Sequence, residues 1–269
     1  MAQFNDSQMA MLAKQFFKAN AIVLPERFSG FGPQAPFTGK DQKAPDPGAL
    51  FQAASTLSYH VDTQKTISKD VEDLIDAVCQ GVGKAFRTWQ SSAKLVNVLI
   101  NGPVGMGLPS CLVGPPLSGP VLMAQVNVAG RQPTFVRYVQ SITGALGVGL
   151  TAWQVGFMVQ LPFPSGAVQS VTMVPAPNVP VPLAAGSSPG DAMLQSGPLK
   201  GLMLAMHGPP GNHALQIFDA VAQAFGITFT TWKATTMIMQ VMGAGGVAPP
   251  PPSPPGPVAM AIGVGGMLQ

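Results

Sequence analysis

The chain has 269 residues, of which 46% are hydrophobic and only 9% are charged, whereas about 25% charged residues are usual in a soluble domain. This composition excludes an intrinsically disordered chain, because disorder requires low hydrophobicity and high net charge, and it argues against a monomer that stands free in water. The net charge of +3 is the difference between 14 lysines and arginines and 11 acidic residues, and the basic residues do not cluster, so no nucleic-acid partner is predicted.

The N-terminal segment, residues 1–64, differs from the rest of the chain. Asn5 is placed to cap a short helix over 7–19 that has apolar residues on one face. Residues 22–46 contain several prolines and predict an extended arm, and a further short helix is predicted over 47–56. The N-terminus lacks a basic region followed by an apolar stretch, so we predict no secretory signal and expect synthesis in a cytoplasm.

The three tryptophans of the chain mark an internal repeat. Trp89, Trp153 and Trp232 each follow a large apolar residue by three positions, and these residues are Phe86, Leu150 and Phe229. Further apolar residues stand seven, eleven and fourteen positions before each tryptophan, which is the spacing of one helix face. Three helices of roughly 30 residues are therefore predicted. They have start signals at Ser68, Pro133 and Asn212 and Gly/Pro breakers at 101–103, 162–164 and 243–246.

A Pro/Gly-rich arm follows each predicted helix. The sequence Gly-Pro-Val-x-Met-Ala occurs twice, at Gly119, Pro120, Val121 and Met123 and again at Gly256, Pro257, Val258 and Met260. The middle arm, with prolines over 175–182, is divergent. Because proline at these spacings disfavours helix, we expect extended arms with short strands over 121–126 and 258–264.

These patterns divide the chain into the N-terminal segment and three pseudo-repeats. The repeats span residues 65–130, 131–206 and 207–269. Each is predicted to be a long helix followed by an extended arm with short β segments, which gives a mainly α fold in a pseudo-threefold arrangement. The alternative interpretation is three unrelated amphipathic helices in a proline-rich chain.

Long tracts of the chain carry no charge. Residues 95–130, 138–190 and 234–269 contain no Asp, Glu, Lys or Arg. Since solvated loops normally carry charge, we expect these tracts to pack against other proteins. A membrane is the less favoured partner, because residues 138–161 are long enough to span a bilayer but contain glutamines, threonines and a serine.

No pattern of catalytic or nucleotide-binding residues is present. The glycines at 102–107 and 144–149 are in the wrong order for a dinucleotide-binding fingerprint, and no Gly-Lys pair is followed by the Ser or Thr of a phosphate-binding loop. The acidic residues at 70–76 are typical of the first turn of a helix. We therefore predict no enzyme activity, no cofactor and no small-molecule ligand.

Histidines and cysteines give no site either. His207 and His213 flank a Gly/Pro loop near Asp219, but nothing in the sequence fixes that loop as a metal site, so we interpret it as a linker with two partly exposed histidines. His60 is interpreted as a structural, hydrogen-bonded residue. Cys79 and Cys111 are predicted to be two buried thiols rather than a disulfide.

The chain has 15 methionines, several of them after Trp232 and over 203–206. Methionine fills irregular gaps in a core, and it also adapts a contact surface to more than one neighbour. The sequence leaves both interpretations open.

The uncharged Gly-Pro-Val-x-Met-Ala arms and short apolar helices over 65–269 resemble structural proteins of contractile phage tails and related injection systems, of the hub, spike or plug type. The resemblance implies a non-enzymatic adaptor, plug or spike-associated protein whose partners are other structural proteins. It also implies a location in a virion or injection particle that is assembled in the cytoplasm. The alternatives are a membrane-active protein whose apolar helices enter a target bilayer, and an injected cargo.

Overall fold

The structure is a computed structural model that describes residues 3–20, 47–101, 104–163, 177–209, 213–246, 260–264 and 266–268. Within these ranges, the description does not extend to the side chains of residues 20, 47–65, 101, 243–246, 260–264, 266 and 267. The described chain is mainly helical, as predicted. Its helices are α1 (Asp6–Asn20), α2 (Pro47–Ser92), α3 (Gly119–Gln125), α4 (Pro133–Gly156), α5 (Gly190–Met193), α6 (Ser196–His207) and α7 (Ala214–Thr235).

The N-terminal helix α1 begins where its capping residue predicts. The side-chain oxygen of Asn5 accepts a hydrogen bond from the backbone N–H of Gln8 at 2.9 Å, which satisfies one of the free donors of the first turn. The apolar face of the helix packs against α2 and α7, and Met9 and Ala13 on this face are buried. The predicted helix over 7–19 is confirmed.

The three long helices, α2, α4 and α7, carry the predicted apolar stripes. Every stripe residue is buried, and burial of one such side chain contributes about 1.5–3 kcal/mol. The stripes consist of Ile75, Val78, Val82 and Phe86 before Trp89, of Val139, Ile142, Leu146 and Leu150 before Trp153, and of Phe218, Val221, Phe225 and Phe229 before Trp232. The tryptophan spacing therefore identifies the core-facing side of all three helices.

The limits of these helices differ from the prediction. The helix that contains Trp89 begins at Pro47 rather than at Ser68, because no glycine or proline interrupts residues 49–67. The acidic residues at 70–76 consequently lie inside a helix and not in a first turn. Asn212, the expected cap of α7, lies outside the described residues.

All three helices also end earlier than expected, three residues after the tryptophan, at Ser92, Gly156 and Thr235. The backbone then turns into an extended conformation, and the N–H groups of Ala93 and Thr236 still donate to the carbonyls of Trp89 and Trp232 at 2.8 and 2.9 Å. Strands occupy the residues between the helix ends and the Gly/Pro breakers. Their pairing partners are distant in sequence, so helical periodicity could not reveal them.

The strands form two antiparallel sheets with the orders β5-β3-β2-β9-β8 and β4-β1-β10-β7-β6. They are β1 (Lys94–Leu95), β2 (Val98–Asn101), β3 (Val104–Gly107), β4 (Leu112–Val113), β5 (Val159–Pro162), β6 (Val181–Pro182), β7 (Met237–Met239), β8 (Met242–Gly246), β9 (Met260–Val264) and β10 (Gly266–Leu268). Residues 177–179 connect the two edge strands of the first sheet, β5 and β8. The N–H of Val179 donates to the carbonyl of Pro162 in β5 at 2.8 Å, and Pro177 forms a β-bridge with Met242 in β8. The first sheet is thereby closed into a ring.

The two copies of the Gly-Pro-Val-x-Met-Ala sequence differ in conformation. Gly119, Pro120, Val121 and Met123 form helix α3, so the strand expected over 121–126 is wrong. Pro120 stands in the first turn, where its missing N–H costs nothing, and it therefore starts a helix instead of preventing one. In the second copy Met260 begins strand β9, within the strand expected over 258–264. Gly256, Pro257 and Val258 lie outside the described residues.

The short helices fill the grooves between the long ones. Helix α1 contacts α2 and α7, α3 contacts α2 and α4, and α6 contacts α4 and α7. The approach of α3 to α4 is close, because a Cβ atom placed on Gly147 would lie 2.0 Å from the backbone nitrogen of Gly119. Glycine is therefore required at position 147.

Candidate interaction site

The three tryptophans meet in one cluster at the carboxyl ends of the long helices. Their ring centroids are 5.8 Å apart for Trp89 and Trp153, 6.0 Å for Trp89 and Trp232, and 6.2 Å for Trp153 and Trp232. Phe86 and Phe229 join the cluster, with centroids 5.2 Å from Trp232 and Trp153, respectively. These residues and Leu150 are all buried. The cluster therefore holds the long helices together and offers no surface for a ligand.

The three indole N–H groups of the cluster differ in whether they have a hydrogen-bond acceptor. The indole N–H of Trp232 donates to the side-chain oxygen of Gln90 at 3.2 Å. The indole N–H groups of Trp89 and Trp153 are buried without a hydrogen-bond partner among the described residues. An unpaired buried donor costs about 1–3 kcal/mol, so ring packing has to outweigh this cost at two of the three positions.

The outer face of the ring of strands is exposed and uncharged, and most of its side chains are apolar. We call the exposed apolar residues of this face the neutral face; they are Leu99, Val104, Met106, Leu108 and Met158. The exposed fractions of their side chains range from 38% to 50%. Leu99 pairs with Met106, and Met106 pairs with Gln160, so the side chains in this row are cross-strand neighbours. An exposed apolar patch of this kind is typical of an interaction surface.

Strand geometry explains why these residues face outwards. The intervening residues Val98, Ile100, Gly105, Val159 and Leu161 are buried inside the ring. Since successive side chains of a strand point to opposite faces, burial of one set forces the other set outwards. The sequence analysis did not single out the neutral face, although the alternation over 104–108, with glycine at every second position, is a signal that indicates a strand.

No charged residue belongs to the neutral face, and most charged residues of the described chain lie on the helices. Strands β2, β3 and β5 contain no charged residue. The ion pairs of the described residues connect helices or the segments beside them. They are Lys14–Asp76, Lys18–Glu72, Arg87–Asp6, Arg131–Asp73, Lys200–Asp219 and Lys233–Asp191. The acidic residues at 70–76 therefore serve mainly to attach α2 to its neighbours.

His207 is buried, so the expectation of a partly exposed linker histidine is wrong. It is the last residue of α6, and its ring packs against the ring of Tyr138 in a tilted orientation, with centroids 4.5 Å apart. The Nδ1 atom of His207 lies 3.2 Å from the hydroxyl of Ser141, and the guanidinium of Arg137 donates to the His207 carbonyl. Burial, and secondarily the charge of Arg137, lowers the pKa of His207. The ring is therefore a neutral part of the core.

The other metal-ligating and nucleophilic residues do not converge. His213 is half-buried, with a left-handed backbone conformation, just before α7, and the side chain of His60 lies outside the described residues. No group of three His, Cys, Asp or Glu side chains that could hold a metal ion occurs in the part of the chain that the structure describes.

Cys79 and Cys111 are free and buried, which confirms the sequence expectation. Burial raises the pKa of the Cys111 thiol to about 11. It also raises the pKa of Cys79, and the carboxylates of Asp76 and Asp6 add to that shift. Both thiols are therefore protonated at neutral pH. The reactive form of cysteine is the thiolate, so neither thiol is in its reactive form.

A half-open groove lies at the end of the helices opposite the tryptophans. It has a volume of about 380 Å³ and lies between α2 and the first turns of α4 and α7, with Phe135, Tyr138 and Ile217 in its wall. Arg131, at its border, is already paired with Asp73 and lies over the Phe135 ring at 5.0 Å. The guanidinium of Arg131 is thus already engaged by Asp73 and by the Phe135 ring.

Among the helices that the structure describes, none combines the length and the apolar character that crossing a bilayer requires. Comparison with protein-family models, with curated proteins and with solved structures finds no match to this chain.

Proposed function

We propose that this chain is a non-enzymatic structural component of a large assembly of the phage-tail or injection-system type, in which it acts as an adaptor, plug or spike-associated protein. The proposed role depends on a pseudo-threefold arrangement of three units within one chain. The observation that carries the proposal is the tryptophan cluster, in which three equivalent positions of the repeat meet at nearly equal ring distances of 5.8, 6.0 and 6.2 Å.

The order of elements supports three equivalent units. A short helix precedes a long one three times, as α1 before α2, α3 before α4 and α6 before α7. Each short helix lies between two long helices, and together the short helices occupy all three grooves of the bundle. Each long helix ends three residues after its tryptophan. Unrelated amphipathic helices would not be expected to share both the preceding short helix and the same end position after the tryptophan.

The strand pairing supports the same arrangement, because it runs from each unit to the next. Strand β3 of the first unit pairs with its own β2 and with β5 of the second unit. Strand β6 of the second unit pairs with β7 of the third. Strand β9 of the third unit pairs with its own β8 and returns to β2 of the first. The three units thus form a closed cycle.

Two backbone positions also match between units. Asn97 and Gln240, each eight residues after its tryptophan, have positive φ angles of 53° and 61°. Such angles are uncommon for residues other than glycine. They occur between β1 and β2 in the first unit and between β7 and β8 in the third, which supports a common origin for the two units.

A pseudo-threefold chain suits a position on a threefold or sixfold axis, where one copy can contact three equivalent neighbours. The partners in this proposal are other structural proteins of a virion or injection particle that is assembled in the cytoplasm. No catalytic group, cofactor or metal is part of it. The neutral face and the uncharged tracts supply the contacts that such a component needs.

The experiment is the determination of copy number and position in native particles. Quantitative mass spectrometry of particles purified from producing cells should give a fixed ratio of this chain to a ring-forming subunit, and cryo-electron microscopy should place it on the axis. A chain found only as a free monomer would contradict the proposal. So would a variable, sub-stoichiometric content without symmetric contacts, as expected of a cargo, or insertion into a bilayer.

A further inference from the structure

The neutral face, formed by Leu99, Val104, Met106, Leu108 and Met158, is an unusual surface because no charge interrupts it. Strands β2, β3 and β5 contain no charged residue, and the ion pairs of the described residues involve helices or the segments beside them. We propose that this face docks onto an uncharged, apolar surface of a partner protein in the same assembly. The inference rests on the proposed function, since it names the surface by which the component is held.

Charge matching determines the chemistry of the partner. A charged side chain of the partner placed against Leu99 or Met106 would lose its hydration and find no counter-ion, which is costly. An apolar partner surface would instead gain by removing both surfaces from water. Met106 and Met158 add adaptability, because the thioether side chain follows the shape of different neighbours.

The observations favour a protein over a lipid surface. Faces that bind membranes normally carry tryptophan, tyrosine, lysine or arginine at their border, where these side chains meet lipid headgroups. In this chain the three tryptophans are buried in the core. Strands β2, β3 and β5 have neither lysine nor arginine.

The first test is site-specific photo-crosslinking in native particles. A photoreactive residue replaces Met106 in the full chain, and Leu215 on α7 is the control position because its exposed fraction of 51% matches the 47% of Met106. We expect position 106 to crosslink one structural protein of the particle within an uncharged segment. Position 215 should crosslink that protein far less, because a photoreactive group captures only atoms in direct contact with it and Leu215 on α7 lies outside the neutral face.

Variants provide the second test. Met106→Lys should lower incorporation into particles by at least about tenfold, whereas Met106→Leu and Leu215→Lys should leave it within about twofold of the wild type. Thermal unfolding of the isolated variants should match the wild type, because the side chain of Met106 is exposed. A Met106→Lys variant that assembles normally overturns the inference.

The outcomes separate this inference from the proposed function. If the wild-type chain is absent from particles, both fail. If the chain is present but position 106 crosslinks to lipid, to a second copy of the chain or to a charged segment, or crosslinks no better than position 215, only the inference fails. Binding of the wild type to vesicles of phosphatidylcholine and phosphatidylglycerol that Met106→Lys abolishes would likewise assign the face to a membrane.

Discussion

Replacement of single tryptophans provides the sharpest test of the cluster. Trp153 is fully buried, with its ring centroid 5.2 Å from that of Phe229 and 5.7 Å from that of Phe157. Truncation to alanine should therefore lower the free energy of unfolding by roughly 3–5 kcal/mol, as for other large buried aromatic residues. Within the proposed function, Trp153→Ala should also impair incorporation into particles.

Phenylalanine at the same positions separates packing from hydrogen bonding. Trp153→Phe removes a buried N–H that has no partner among the described residues, whereas Trp232→Phe removes the N–H that donates to Gln90. Both changes remove the same atoms from buried positions. We therefore expect Trp232→Phe to lower the free energy of unfolding by about 1–3 kcal/mol more than Trp153→Phe does.

The assay is urea-induced unfolding followed by far-ultraviolet circular dichroism, with the free energy of unfolding extrapolated to water. The slope against urea concentration should be equal for both variants, so that the difference reflects stability alone. A double-mutant cycle of Trp232→Phe with Gln90→Ala should give a coupling energy of about 0.5–1.5 kcal/mol. Equal destabilisation by both phenylalanine variants would refute the reasoning about the unpaired N–H.

Further predictions concern the buried histidine, a helix contact and a helix cap. Because the folded state lowers the pKa of His207 below 6.5, its contribution to stability is present above about pH 6.5 and lost as pH falls. His207→Gln should therefore reduce the fall in the thermal unfolding temperature that the wild type shows as the pH decreases below about 6.5. Gly147→Ala should destabilise the protein, because its Cβ would meet the backbone of Gly119 at 2.0 Å, whereas Gly201→Ala, with nothing within 4 Å, should raise stability by about 0.5–1 kcal/mol. Asn5→Ala should cost about 1 kcal/mol through the lost cap, measured by urea unfolding; no change would mean that this first turn does not need its cap.

The sequence by itself determined the features that depend on local periodicity and composition. The tryptophan spacing predicts which face of each long helix is buried, and the structure buries that face in all three. The capping position of Asn5 and the two buried thiols are also confirmed. Such properties depend on neighbours within one or two helical turns, so they can be identified before the fold is known.

Tertiary contacts decided what local pattern could not. The same Gly-Pro-Val-x-Met-Ala sequence begins a helix at Gly119 and leads into a strand at Met260, because α3 has a groove between α2 and α4 to fill while β9 has β2 and β8 to pair with. His207 is buried because Tyr138 and Phe218 surround it, although its neighbours in sequence indicate a loop.

The neutral face is likewise a product of the tertiary structure. Leu99 and Met106 are as apolar as their buried neighbours in sequence, and only the closing of the strands into a ring leaves them outside. The physical reason is that strand pairing joins residues far apart in the chain, so the partners, and not the local sequence, decide which face is covered.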